Sequence, residues 1–291
     1  MNRWSTVDEI IRDKSWLFYL LFKLVSPTIR DIYYLAAAYS YMRHLDDIVD
    51  ESGLPPLEIQ GILAREKRLI LDLYAERQIT PRNEYEKLLA DFVKYDLECG
   101  TPLRDAFLET LDTLFFDVRR VGRLCTCEQL DAYTRRMASS FVRFMLHFLK
   151  IPDVAYEELI RVSTAACQAY MLRDLREDLK RGLVNIDIES IRKYGINLDN
   201  ISGENVQSWI RSRAIHIVSE LSLIGKLMKY PFSTRDKIVF LLFIEPRKYV
   251  LQRLRKNNFI PFGEYTLSAA DVMRIAYRMG KHFVVERHCH A

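Results

Sequence analysis

The chain has 291 residues, of which 49% are hydrophobic and 28% charged, and its net charge is +4. These values are ordinary for a globular protein and exclude a disordered or low-complexity chain. The longest unbroken apolar run, residues 238–244, is far shorter than the roughly 20 residues of a membrane-spanning helix. The positive charge is too small and too dispersed to indicate nucleic-acid binding, but it suits an anionic small ligand.

The N-terminal stretch MNRWSTVDEIIRDK contains acidic residues and no apolar segment, so it does not resemble a secretory signal. The five cysteines are odd in number and form no CxxC pair, which favours a reducing compartment and argues against structural zinc. We therefore expect a cytoplasmic protein. Peripheral contact with a membrane stays open.

Residues that break helices are sparse, with ten glycines and nine prolines in the whole chain. Between them, apolar residues recur with helical spacing, and strand-like alternation is nearly absent. The predicted helices are, in chain order, residues 7–24, 28–49, 56–74, 84–95, 102–119, 126–148, 155–179, 206–228, 234–254 and 268–284. Several are apolar around much of their circumference, which is typical of helices buried in a bundle. The pattern predicts one all-α domain over residues 1–291, with a frayed tail from about residue 285.

Two clusters of acidic residues follow long apolar helical segments. Asp46 and Asp50 are four residues apart in RHLDDIVDE, and Asp174 and Asp178 are four apart in LRDLREDLK. This spacing places each pair on one face of its helix, with Glu177 beside the second pair. A single acidic pair usually belongs to a solvated face. Two pairs that both continue buried faces favour a shared ligand site.

Carboxylate oxygens without histidine are the ligands that Mg²⁺ prefers. A di-iron bundle would need Glu-x-x-His, and no histidine has a glutamate three residues before it. Mg²⁺ bound by a few carboxylates keeps coordination positions for a phosphate, whose outer oxygens could contact nearby basic residues. These are Arg43, Arg173, Arg176, Lys180 and Arg181, with Arg119, Arg120 and Arg123 as a further group that could equally serve surface solubility. A metal–diphosphate site at the end of an apolar bundle indicates a prenyl diphosphate substrate.

The pattern R-x-x-D-D-x-x-D, followed much later by R-D-x-x-E-D, resembles the squalene/phytoene synthase family, the head-to-head branch of class I isoprenoid synthases. The resemblance covers most of the chain. The first motif corresponds to Tyr39, Arg43, Asp46 and Asp50, and the second to Arg173, Asp174, Glu177 and Asp178. Further matches are Ser15, Trp16, Asp117, Tyr133 and Tyr249.

The resemblance implies an isoprenoid-synthase helical bundle with a central apolar cavity. It implies an enzyme that ionises C15 or C20 prenyl diphosphates and couples two of them to a presqualene, squalene or phytoene-type product, with release of diphosphate. The implied ligands of two or three Mg²⁺ ions are Asp46, Asp50, Asp174, Glu177 and Asp178. Of the basic residues beside the clusters, we expect Arg43, Arg173, Lys180 and Arg181 to bind the diphosphate. The candidate aromatic groups beside the carbocation are Tyr39, Tyr133 and Tyr249. NADPH use stays open, as does the choice between a monomer and a homodimer.

Two parts of the chain depart from the family's pattern. The family's metal-binding Asn, four residues before the second motif's first Asp, is Tyr170 here. The family's Gln is Cys167, with a glutamine one position later at Gln168, and Asn185 replaces an active-site tyrosine. A phenol is a poor Mg²⁺ ligand because its pKa is about 10. One metal site is therefore altered or completed by another residue, and Tyr170 either lines the cavity beside the carbocation or only packs.

Two other functions stay open. A terpene cyclase of the same fold would act on a single C15 or C20 prenyl diphosphate, since a shared fold does not determine the reaction. A non-catalytic prenyl-lipid binding protein would be the other, but clustered carboxylates cost stability unless a metal neutralises them.

Overall fold

The computed structural model describes residues 29–100, 103–150, 155–263 and 268–288. Among these residues the regular elements are α-helices and there is no β-strand, which confirms the predicted all-α class. The predicted helix at 7–24, together with Ser15 and Trp16, lies outside the described residues.

The helices agree with most of the predicted segments. In chain order they are α1 (Ile29–Glu51), α2 (Pro56–Tyr74), α3 (Glu84–Cys99), α4 (Arg104–Arg120), α5 (Cys127–Leu149), α6 (Tyr156–Lys180), α7 (Ile188–Tyr194), α8 (Glu204–Leu221), α9 (Ile224–Leu227), α10 (Thr234–Lys256) and α11 (Ala269–His288). Helices α3 and α11 end at residues 99 and 288 rather than at the predicted 95 and 284. The predicted fraying of the tail stays a prediction.

Two elements differ from the prediction. The segment predicted as one helix over 206–228 is divided into α8 and α9. At the division the Ser222 hydroxyl donates to the Ser219 carbonyl at 2.6 Å, a local hydrogen bond that competes with the helical pattern. Helix α7 was not predicted, although its signals are present. Asp187 accepts a hydrogen bond from the Ser190 N–H at its start, and Gly195 ends it with φ +61°.

The chain forms two compact units. The described residues within Met1–Arg119 and Ser139–Asp153 make up the first, and those within Arg120–Ala138 and Val154–Ala291 make up the second. In the first unit α1 packs along α3. In the second, α6 packs against α8 and α10, and α10 packs against α11. The prediction of one domain over the whole chain stays a prediction.

Aromatic side chains fill the core of the first unit. Phe92 of α3 lies 5.3 Å from Phe107 of α4, and Phe107 lies 5.1 Å from Phe144 of α5, measured between ring centroids. Tyr41 and Leu45 of α1 are buried in the same unit. Burial of these rings contributes a large hydrophobic stabilisation, and it determines which face of α1 is turned away from the core.

Helix α6 is the central helix of the second unit. Its buried side chains are mostly small or aliphatic, among them Ala165, Ala166, Ala169, Leu172 and Leu175. Small side chains let the neighbouring helices approach closely, which suits a helix packed against both α8 and α10. The acidic residues that follow this stretch therefore sit on a well-supported helix end.

In the part of the chain that the structure describes, no helix is long and apolar enough to span a bilayer. The described cysteines are free thiols: Cys99, Cys125, Cys127 and Cys167.

Helix α10 begins with a capping box that we expect to be important for stability. The Ser233 hydroxyl accepts a hydrogen bond from the Asp236 N–H at 3.2 Å, and the Asp236 carboxylate accepts one from the Ser233 N–H at 3.1 Å. Ser233→Ala should lower the free energy of unfolding by about 1 kcal/mol, because it leaves a helix-end N–H unsatisfied. Urea denaturation followed by circular dichroism measures this change.

The matched control is Ser212→Ala, an exposed serine in the middle of α8. Alanine is a better helix former than serine, so this variant should be as stable as the parent or slightly more stable. An equal loss of stability in the two variants would show that the capping box contributes nothing of its own.

Candidate active site

The first acidic cluster lies in the last turns of α1. The Arg43 guanidinium binds two of its carboxylates, with Nη1 2.7 Å from Asp46 Oδ2 and Nε 2.8 Å from Asp47 Oδ1. Even so, burial and the neighbouring Asp50 raise the pKa of Asp46 to about 6, and Asp117 of α4 adds to this effect. Arg43 therefore compensates the negative charge only in part. Asp117 thus lies close enough to the first motif to act on Asp46.

Tyr39 lies one helical turn before Arg43 on α1. Burial raises the pKa of the Tyr39 phenol above its usual value, against the opposing effect of Arg43. The hydroxyl therefore stays protonated, and Tyr39 presents a neutral aromatic ring next to the acidic cluster.

The second acidic cluster lies in the last turns of α6. The Arg173 guanidinium donates two hydrogen bonds of 2.6 Å each to the carboxylate of its neighbour Asp174. Asp178 is buried and accepts hydrogen bonds from Arg181 Nη2 at 2.7 Å and from Asn185 Nδ2 at 2.6 Å. Burial raises the pKa of Asp178, although Arg181 opposes this shift.

Asn185 connects the second cluster to an arginine whose role the sequence left open. Its Oδ1 accepts a hydrogen bond of 2.8 Å from Arg120 Nη1, while its Nδ2 donates to Asp178. Arg120 is only 4% exposed, and its guanidinium lies 5.0 Å from the centroid of the Tyr133 ring. Arg120 thus belongs to the site and not to the surface. Its sequence signal, an arginine at a helix end, does not distinguish these two environments.

The other basic residues have different surroundings. Arg119, Arg123 and Lys180 are exposed, and the Arg119 guanidinium lies 5.3 Å from the Phe115 ring centroid. Arg176 Nη2 donates to the Ser202 hydroxyl at 2.9 Å. The assignment of Lys180 to diphosphate stays a prediction.

Glu177 has a carboxylate oxygen without a partner. Its Oε2 is buried and takes part in no hydrogen bond with the described residues. The carboxylate lies against Gly263, where an added Cβ would come within 2.5 Å of Oε1. Gly263 adopts φ +71° and its N–H donates to the Arg173 carbonyl at 3.0 Å. Only glycine leaves room for the Glu177 carboxylate in this position.

Tyr170 lies between basic side chains. The centroid of its ring is 4.1 Å from the Arg173 guanidinium carbon and 4.5 Å from that of Arg247 on α10. Gln168 has a different environment, since it lines a small cavity of about 30 Å³ together with Trp209 and Asn185. The glutamine therefore does not take the place of Tyr170. Two positive charges at the ring also disfavour the idea that Tyr170 stabilises a carbocation.

Tyr249 is buried in α10, and its hydroxyl donates a hydrogen bond to the Asp271 carboxylate on α11. Tyr133 is buried as well, with the Arg120 guanidinium over its ring. Their assignment to catalysis stays a prediction.

The acidic side chains suit a hard cation by their chemistry. Among the described residues, no group of three His, Cys, Asp or Glu side chains is arranged to hold a metal ion. However, the raised pKa values of Asp46 and Asp178 and the unpartnered oxygen of Glu177 are signs of incompletely compensated carboxylates. An all-oxygen donor set with few protein ligands fits Mg²⁺, which retains water and phosphate in its remaining positions.

Comparison with known proteins adds sequence and fold relatives. Residues 11–267 match the profile of the Squalene/phytoene synthase family. A phytoene synthase from Thermus thermophilus is 26% identical over 214 residues, which are 74% of this chain and 69% of that protein. The crystal structure of a dehydrosqualene synthase in complex with ligand has a TM-score of 0.79, 17% identity and 97% coverage of each chain. Squalene synthase HpnC from Alicyclobacillus acidocaldarius has a TM-score of 0.74, 18% identity and coverage of 89% of this chain and 95% of its own.

These findings agree with the acidic motifs. The profile match includes both clusters, and the structural similarity extends over most of the chain. The chain has the all-α isoprenoid-synthase fold and belongs to the squalene/phytoene synthase family.

Proposed function

We propose that this protein is a Mg²⁺-dependent enzyme that couples two prenyl diphosphates head to head and releases diphosphate. The observation that carries the proposal is the pair of incompletely compensated carboxylate clusters on α1 and α6, in a member of this family. The relatives named phytoene synthase and squalene synthase support coupling over other uses of the fold.

The two clusters would provide the metal ligands. Asp46 and Asp50 on α1 and Asp174 and Asp178 on α6 would bind Mg²⁺, and Glu177 would add its unpartnered oxygen. When bound, Mg²⁺ would withdraw electron density from the diphosphate and so stabilise it as a leaving group.

Arg43 and Arg173 would bind phosphate oxygens in exchange for their present carboxylate partners. Each guanidinium makes two contacts with carboxylate oxygens at 2.6–2.8 Å. The same planar arrangement of donors matches a phosphate group.

Asn185 and Arg120 would orient Asp178. The amide holds one carboxylate oxygen of Asp178, and the buried Arg120 holds the amide. The Asn185 amide reaches this carboxylate directly, so Asp178 keeps one orientation although the family pattern has a tyrosine at position 185.

The Tyr39 ring, beside the first cluster, is the aromatic group that we place next to the carbocation left by loss of diphosphate.

Incubation with C10, C15 and C20 prenyl diphosphates and Mg²⁺, with products identified by mass spectrometry, tests this function. A product with twice the carbon number of its substrate supports coupling. A product with the same carbon number would instead identify a terpene cyclase. No release of diphosphate from any substrate would contradict both enzymes and favour a lipid-binding role. Repeating the reaction with NADPH shows whether reduction follows coupling.

We expect Asp46→Asn and Asp174→Asn each to lower turnover by roughly a hundredfold or more, because losing a metal ligand raises the barrier by several kcal/mol. Diphosphate release at saturating Mg²⁺ measures the effect, and circular dichroism verifies the fold. Asp105→Asn, at an exposed aspartate paired with Arg104, is the matched control and should keep parental turnover. Near-parental rates in either cluster variant would contradict the assignment of the site.

Removal of the metal should stop the reaction reversibly. EDTA should abolish diphosphate release and added Mg²⁺ should restore it, since the proposed ligands are all oxygen atoms. Restoration by Zn²⁺ but not by Mg²⁺ would point to a different, softer ligand set.

The charge on Asp46 should destabilise the metal-free protein at neutral pH. Its pKa rises from 3.8 to about 6 on folding, so the ionised form disfavours the folded state above about pH 6 and the penalty disappears towards pH 4. Asp46→Asn should therefore raise the free energy of unfolding at neutral pH. With the side chain 38% exposed, solvent screening reduces the expected gain to about 1 kcal/mol.

Urea denaturation in EDTA at several pH values measures this gain, which should shrink as the pH falls. Added Mg²⁺ and pyrophosphate should stabilise the parent more than the variant, since the variant lacks a ligand. A variant that is less stable than the parent at neutral pH would show that the bond to Arg43 outweighs the repulsion.

A further inference from the structure

Arg247 of α10 is a partly exposed cation without a carboxylate partner among the described residues. Its Nη1 donates to the Phe243 carbonyl at 2.7 Å, one turn earlier in the same helix. Its Nε is buried and donates to no described acceptor. A cation with an unsatisfied buried donor is unfavourable unless an anion completes its hydrogen bonds.

The Arg247 guanidinium packs against two aromatic rings. The guanidinium carbon lies 4.1 Å from the Phe243 ring centroid and 4.5 Å from that of Tyr170. Cys167 is also close enough for Arg247 to influence it, yet burial raises the pKa of this thiol to about 11. The thiol is therefore neutral and does not compensate the charge. Cation–π contacts hold the guanidinium in place but do not satisfy its Nε donor.

The Tyr170 ring brings a second guanidinium to the same place. Arg173 lies 4.1 Å from the ring centroid and follows Tyr170 by one turn of α6. Two positive charges on one ring repel each other, and an anion of high charge that contacts both would remove this repulsion. Arg173 also binds Asp174, so the guanidinium pair adjoins the second acidic cluster.

We propose that Arg173 and Arg247, positioned by the Tyr170 ring, bind a phosphate group of the substrate diphosphate and of the pyrophosphate released. The assignment rests on the proposed function for the identity of the substrate. Tyr170 is a positioning residue here, and Arg247 is an additional binding residue. The guanidinium pair supplies positive charge next to Tyr170, whose phenol is a poor Mg²⁺ ligand.

Isothermal titration of the full chain with inorganic pyrophosphate tests the inference directly. In EDTA, the parent should bind pyrophosphate, and Arg247→Gln should weaken the affinity by about tenfold through the loss of a charged donor. The matched control is Arg211→Gln on α8, which removes a guanidinium whose carbon lies 5.2 Å from the centroid of the Phe259 ring. It should bind like the parent, since it loses the same charge at a different aromatic contact.

Variants of Tyr170 separate positioning from simple packing. Tyr170→Phe keeps the ring and should keep the affinity, whereas Tyr170→Leu should weaken it as Arg247→Gln does. Circular dichroism and thermal melting verify that each variant is folded. If Arg247→Gln does not fold, Arg247→Lys is measured in its place. Lysine keeps the charge but loses the planar donors, so a weaker affinity is again expected.

Two results would overturn the inference: a parent that does not bind pyrophosphate in EDTA, or Arg247 variants that bind it with parental affinity. If either result is obtained and the parent nevertheless couples prenyl diphosphates, the assignment of the guanidinium pair is wrong and the proposed function stands. Arg247-dependent pyrophosphate binding without release of diphosphate from any prenyl substrate would support the binding site and contradict the proposed function.

Discussion

Incompletely compensated negative charge at the ends of buried helices is the constraint on which the rest of this structure depends. Asp46 is close to Asp50, and Asp178 is buried. Desolvation raises the free energy of an ionised carboxylate, and the raised pKa values at both clusters reflect this effect. A fold that keeps such groups gives up stability, which is the cost expected of the proposed cation site. The arginines around the clusters reduce this penalty without removing it.

The compensation is mostly local in sequence. Arg43 lies three residues before Asp46, Arg173 precedes Asp174, and Arg181 follows Asp178 by three residues. Helical geometry brings such neighbours together whatever the tertiary fold is. A guanidinium bound to a carboxylate in this way can also bind a phosphate, so the same residues serve both the ligand-free and the proposed substrate-bound state.

The two departures from the family pattern have structural consequences of different kinds. Asn185 forms a hydrogen-bonded connection between Arg120 and Asp178, which keeps an acidic ligand oriented. Tyr170 instead gathers Arg173 and Arg247 around its ring. Asn185 thus preserves the orientation of a proposed metal ligand, Asp178. Tyr170 instead replaces the family's metal-binding Asn by a ring that holds two positive charges. Both are consistent with a site that binds diphosphate through a different balance of metal ions and guanidinium groups.

The sequence by itself determined the all-α class, most helix bounds and the acidic faces, because helical periodicity and i,i+4 spacing are local properties. It also indicated the family, through two motifs whose residues lie on single helices. Only the tertiary structure decided the burial of Arg120, the contact of Gly263 with Glu177 and the contact of Arg247 with the Tyr170 ring. Each of these joins residues far apart in the chain. Such contacts depend on how helices pack, which no local pattern specifies.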